Sequence, residues 1–201
     1  MTHADSVGLS KFLRSQTRER HTQAEREPGA QRFANARIGP EDYAHFLHHC
    51  ALIHRELDPA VREAWPGLAV GYRGDLQDRI RADLEDLAIS DPRAIRAVDA
   101  ATEIQEQIAE WRRTQDAAIV GAAYTWYGSQ NGGRILARAL RPFFPTRYLD
   151  PGPEFPHNWS IFTSRLDELE LLRDRCLTGA ERAFDWASQI YATLPSECTD
   201  S

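Results

Sequence analysis

In the stretch LRSQTRERHTQAE, one imidazole has the company that ligand chemistry needs. At about 100° per helical residue, Arg14, Arg18 and Glu25 fall within roughly 60° of His21 on one surface. A neutral imidazole can ligate iron, and a carboxylate beside it can orient its second nitrogen. Two guanidiniums on the same face suit anionic carboxyl groups. The same spacing also describes i,i+4 charge pairs along a solvated helix with a half-exposed histidine, and spacing alone does not choose.

A second stretch, YTWYGSQNGGRILARAL from Tyr124, reads as helix on both flanks yet carries Gly128, Gly132 and Gly133. Three glycines in a helix interior cost about 2 kcal/mol relative to alanine, so something should offset them. One reading is a helix that bends and brings its backbone close to a flat ligand. The other is a break, with Gly132-Gly133 as the turn and Ser129 or Asn131 capping a new helix. Both stay open at this point. The glycine spacing does not match a dinucleotide fingerprint, and no strand precedes it.

Other groups are less specific. His45, His48 and His49 stand at i, i+3, i+4, the start of a metal-ligand set, but such residues are more often packed or on a helix surface. His54 and Glu56 suggest di-iron chemistry without supplying a Glu-x-x-His pair. Trp111, Trp126 and Trp159 read as core, with Trp126 also suited to line a ligand face. Arg134, Arg138 and Arg141 form a basic stripe fit for an acidic partner protein or for surface ion pairs. The run DELELL from Asp167 reads as a solvated face.

Helices must position these groups, because almost nothing in the chain alternates like a strand. The pattern predicts helices over about 10–25, ending near Pro28-Gly29, over 41–65 with a buried stripe from Tyr43 to Leu57, and over 75–88. Further helices are predicted over 91–111 with Asp91-Pro92 at the start, through the glycine stretch, and near 158–172 and 179–194. The expected architecture is an irregular all-α bundle.

With 201 residues and 42% hydrophobic content, the chain suits one domain with one core. It has no long apolar run and no secretory signal pattern at MTHADSVGLS, which predicts a soluble cytoplasmic protein. Cys50, Cys176 and Cys198 lie far apart and read as free thiols. A formal charge of -6 argues against nucleic-acid or anionic-membrane binding.

Taken together, the two stretches resemble the heme oxygenase family. Thr17, His21, Thr22, Gln23, Ala24 and Glu25 fit its proximal-helix signature, and Gly128, Gly132 and Gly133 fit its distal G-x-x-x-G-G pattern. Tyr124 ahead of Gly128-Ser129 is similar to the form of many bacterial members. Trp159 and Phe162 after an aromatic loop match a less specific pattern. The resemblance implies an all-α, single-domain bundle over 1–201, with 1–8 and 196–201 flexible and heme b held between a proximal and a distal helix.

It further implies His21 as the axial iron ligand and Glu25 as the partner of its second nitrogen. Arg14, Thr17, Arg18 and Tyr124 would lie against heme or its propionates, with Arg165 the nearest candidate on the later helices. Gly128 and Gly132 would contact the distal heme face, and Gly133 would permit the bend. Ser129 replaces an aspartate that mammalian-type members use to organise water, so proton delivery would need other groups. The implied activity is cleavage of heme to biliverdin, carbon monoxide and ferrous iron, using O2 and electrons from a ferredoxin or an NADPH-dependent reductase. The alternatives are a heme carrier or sensor that does not degrade heme, and a heme-free fold relative such as a thiamin hydrolase or di-iron oxygenase.

Overall fold

A computed structural model describes residues 7–71, 74–89, 99–169 and 172–194. All regular structure among them is helical. The elements are α1 (Leu9–Gln16), α2 (Arg18–Arg26), α3 (Pro28–Ala34), α4 (Pro40–Ala64), α5 (Pro66–Ala69) and α6 (Leu76–Leu87). They are followed by α7 (Asp99–Thr114), α8 (Ala118–Gly128), α9 (Gln130–Leu140), α10 (Phe155–Leu166) and α11 (Arg173–Ala192). The Asp91-Pro92 start, Cys198 and most of the predicted flexible ends lie outside the described residues.

The predicted first helix is two segments. Thr17 interrupts it at φ −93°, ψ 1°, yet its amide still reaches the Leu13 carbonyl at 2.9 Å and its own carbonyl takes the His21 amide at 2.9 Å. The buried Thr17 hydroxyl donates to the same Leu13 carbonyl at 2.8 Å. Such back-bonding bends a helix without ending it. Helix α2 ends at Arg26, where the Pro28-Gly29 signal places the stop, and Pro28 then opens a further helix, α3, because proline at the first helical position gives up no hydrogen bond.

Helix α4 follows the predicted stripe: Tyr43, Phe46, Leu47, Cys50, Ile53, His54 and Leu57 are all buried. Pro40 opens it, and the Asp42 carboxylate accepts the Gly39 amide at 3.2 Å. Helix α8 runs through the centre, buried from Ala118 to Tyr127 except at Tyr124. It packs along α11 at very short range because both helices present small residues. A Cβ on Gly121 would run into the Cys176 carbonyl, and one on Gly179 into the Ala118 carbonyl. Thr125 donates across the same seam to the Ala180 carbonyl at 3.3 Å. The core includes Trp111 against Trp186 at 5.7 Å between ring centres, as well as Trp126.

Asp167, placed by sequence on a solvated face, does structural duty. Its Oδ1 accepts the Ser10 amide at 2.7 Å and ties the start of α1 to the end of α10.

Candidate active site

Helix α2 is fastened to α11 by Arg20, whose guanidinium reaches Glu181 at 3.3 Å and Asp185 at 2.5 Å. This sets the His21 ring edge-on against Phe184, with ring centres 5.5 Å apart and planes at 82°. His21 Nδ1 lies 3.6 Å from Glu25 Oε2, and Nε2 has no hydrogen-bond partner among the described residues. The His21 side chain remains 57% exposed, so one ring nitrogen is available to a ligand on a ring whose orientation is set by Phe184 and Glu25. Arg20 and Phe184 were not picked out from sequence. Their only signal was periodic: Arg20 neighbours the histidine, and Glu181 and Asp185 lie at i,i+4 on a distant helix.

The second cluster forms where α1, α8 and α10 meet. Tyr124 donates its hydroxyl to the Ser10 carbonyl at 3.3 Å and lies 5.5 Å from the Trp159 ring. Burial pushes the pKa of its phenol up, with Arg14 opposing the shift and Asp167 adding to it. Arg18 is exposed and borders a shallow depression with Ser15, Glu19, Thr22 and Arg26, which His21 does not line. Arg165 points to its chain neighbour Glu168 at 3.3 Å and stays exposed.

Between α8 and α9 the amide ladder continues. Ser129 donates to the Thr125 carbonyl at 2.9 Å, and Gly133 donates to the Ser129 carbonyl at 2.9 Å. Gly132-Gly133 is thus no turn, and the segment is one helix bent at Ser129. The Ser129 hydroxyl folds back onto the Trp126 carbonyl at 2.7 Å. The three glycines have three different surroundings. A Cβ on Gly128 would stand 3.0 Å from the Trp159 ring, and one on Gly133 would stand 2.7 Å from the Leu149 carbonyl. At Gly132 nothing lies within 4 Å, and the residue is exposed. Gly133 thus seats α9 against the 141–154 segment, whereas Gly132 leaves its surface open.

Of the three clustered histidines of α4, His45 and His49 are buried and packed, and His48 is half-buried. His45 Nε2 meets the Thr193 hydroxyl at 3.1 Å, and His49 Nδ1 meets the His45 carbonyl at 3.1 Å. Arg141 pairs with Asp150 at 2.7 Å, while Arg134 and Arg138 are exposed.

A family model described as heme oxygenase matches residues 7–193. The fold is similar to that of heme oxygenase from Leptospira interrogans, at 19% identity and a TM-score of 0.79 over 94% of this chain and 100% of that one. It is also similar to heme oxygenase-1 from the cyanobacterium Synechocystis in complex with heme, at 17% identity and a TM-score of 0.78, covering 92% and 91%. Heme oxygenase 2 from Chlamydomonas reinhardtii without heme gives 20% identity and a TM-score of 0.79, covering 96% and 100%. No curated protein sequence matches the chain. The two motifs, the helical fold and the near full-length family match lead to one assignment: the chain belongs to the heme oxygenase family.

Proposed function

We propose that the chain binds heme through His21 Nε2 and oxidatively cleaves it to biliverdin, carbon monoxide and ferrous iron, the general reaction of the family. The carrying observation is the His21 ring: its side chain is 57% exposed, one nitrogen faces Glu25, and the other has no hydrogen-bond partner among the described residues. A single imidazole supplies one ligand, so the remaining positions around the iron must arrive with it, as they do in a porphyrin. Helices α2 and α8 both pack on α11, which holds the proximal and distal segments in fixed relation. Gly132 presents open backbone surface, suited to the close approach of a flat ring.

Bound heme supplies both the oxygen-activating iron and the ring that is cleaved. The protein's part is to hold and to orient. Glu25 polarises the His21 imidazole through Nδ1, and Phe184 fixes its plane. Arg14 on α1 and Tyr124 on α8 would meet a propionate, with Arg18 at the start of α2 contributing charge and Thr17 setting the bend that aims α2. Arg165 is the weakest member of this set, since Glu168 already engages it. Gly128, Ser129 and Gly132 form the distal backbone, with Gly133 seating it. O2 and an external ferredoxin or NADPH-dependent reductase complete the reaction, in the cytoplasm, with residues 1–201 acting as one heme-binding unit.

Hemin titration of the purified apoprotein tests this reading, followed by ascorbate or a ferredoxin system in air with an iron chelator present. A Soret band that decays to biliverdin absorbance is the expected outcome. A stable band marks a carrier, and no band refutes heme binding. His21→Ala should lose the axial-imidazole spectrum and most turnover; an unchanged spectrum and rate would remove His21 as ligand.

A further inference from the structure

Helix α2, which carries His21, has little apolar surface to hold it in place. Of its nine residues only Ala24 is buried. Its neighbours are better rooted: α1 buries Leu9 and Leu13, and α3 buries Gly29 and Phe33. A Cβ on Gly29 would run into the Tyr191 carbonyl, so the start of α3 sits directly on the backbone of α11. Helix α2 is therefore a polar strap between two anchored ends, bending away from α1 at Thr17 and ending at Glu27, where α3 follows. Burying one alanine methyl contributes too little to fix such a strap in one place.

Charge supplies what packing does not. Arg20 Nε donates to Glu181 Oε1 at 3.3 Å and Nη1 to Asp185 Oδ1 at 2.5 Å. Glu181 and Asp185 lie one turn apart on α11, so the planar guanidinium spans two points of that helix and fixes α2 along it as well as against it. His21 follows Arg20 directly, and its ring meets Phe184, which lies between the two carboxylates in the chain. Glu25 does not replace this clamp. Its Oε2 is 3.6 Å from Nδ1 and its side chain is 66% exposed, so it polarises the ring without fixing where the ring stands.

We propose that Arg20, held by Glu181 and Asp185, is a positioning residue for the axial ligand: the clamp sets where α2 lies on α11, and with it the plane and reach of His21 Nε2 toward the iron of bound heme. On an unclamped strap the imidazole would sample many orientations, and ligation would have to order the strap as well as form the bond. The clamp makes that ordering before heme arrives. All three side chains of the clamp are partly exposed, which leaves it open to screening by salt.

The inference rests on heme being the ligand, so its test begins without heme. Arg20→Met keeps an unbranched side chain and removes its charge and donors; because Arg20 is partly exposed, the variant leaves the core intact. Proton NMR of the apoprotein at a fixed pH should show the His21 ring protons displaced by the Phe184 ring current in the wild type and moved back toward ordinary histidine positions in Arg20→Met. With hemin added, the variant should lose about three- to tenfold in affinity. Its iron–histidine stretching band in the ferrous state should shift or broaden in the resonance Raman spectrum. The affinity difference should shrink as sodium chloride rises from about 0.05 to about 0.5 M. Reversing the charges, Arg20→Glu with Glu181→Arg and Asp185→Arg, should restore the ring-proton positions, the band and most of the affinity. Wild-type ring protons, band and affinity in Arg20→Met would overturn the proposal, and so would a reversed-charge variant no better than Arg20→Met. A wild type with displaced ring protons but no Soret band would sink the heme reading while the hold of Arg20 on His21 stands. A wild type with a Soret band beside an Arg20→Met that matches it throughout would sink only the role of Arg20.

Discussion

Gly132 separates ligand space from folding need at a single position. It lies in a helix with nothing within 4 Å of where a side chain would begin, so the fold does not require glycine there. Gly132→Ala should therefore raise apoprotein stability by about 0.5–1 kcal/mol, the usual helix preference for alanine, measured by urea denaturation. If the open surface is where heme approaches, Gly132→Leu should leave the apoprotein folded while weakening hemin binding or changing the biliverdin isomer. A leucine variant with wild-type binding and product would remove Gly132 from the site. Gly133→Leu should behave differently, losing stability first, since its side chain would meet the Leu149 carbonyl 2.7 Å from Cβ. Sequence grouped these glycines as one motif because spacing does not say which neighbour each one faces.

At the scale of elements, the crossing of α8 and α11 is the seam on which the proximal and distal segments both depend. Gly121 faces the α11 backbone at Cys176 and Gly179 faces the α8 backbone at Ala118, so an added methyl has no flexible neighbour to displace. Gly121→Ala and Gly179→Ala should each cost about 1–3 kcal/mol or more in denaturation, because overpacking a closed contact forces the backbone apart. A loss below about 0.5 kcal/mol would mean the helices separate easily and do not fix the site. The helices themselves were largely legible: the stripe of α4 and the flanks of the glycine stretch follow from 3.6-residue periodicity. Less legible were the Thr17 bend, set by a side-chain hydroxyl within its own helix, and the start of α3, where a proline that often ends a helix begins one. His21, Glu25 and Tyr124 could be read because a local motif carries them. Arg20, Phe184 and the His54–Asp58–Tyr148 network could not, since their partners come from other elements; only the i,i+4 spacing of His54 and Asp58 on the buried face of α4 hinted at the last.

For the molecule as a whole, acid stability should be limited by the histidines packed inside α4. Burial, reinforced by His45 and His48, lowers His49 from 6.5 to about 4, and burial with Arg55 lowers His48 as well. A histidine depressed in the folded state is neutral there while the unfolded chain binds its proton. Between about pH 6.5 and 4 the unfolded state therefore holds more protons, and the stability of the fold decreases as pH falls through that window. Above pH 6.5 both states are neutral at this site and its stability contribution is complete; below about 4 both are protonated and that contribution is gone. His49 is 2% exposed and its ring lies 4.4 Å from that of His45, which in turn meets Thr193 just beyond the C-terminal end of α11. Protonation thus places charge where α4 and the end of α11 meet, and the loss should appear as cooperative unfolding. Thermal melts of the apoprotein from pH 7.5 to 4 should show the melting temperature falling most steeply below pH 6.5. His49→Asn should reduce that slope relative to the wild type, even if the variant is less stable at pH 7.5. An identical slope in the variant would place the acid sensitivity elsewhere.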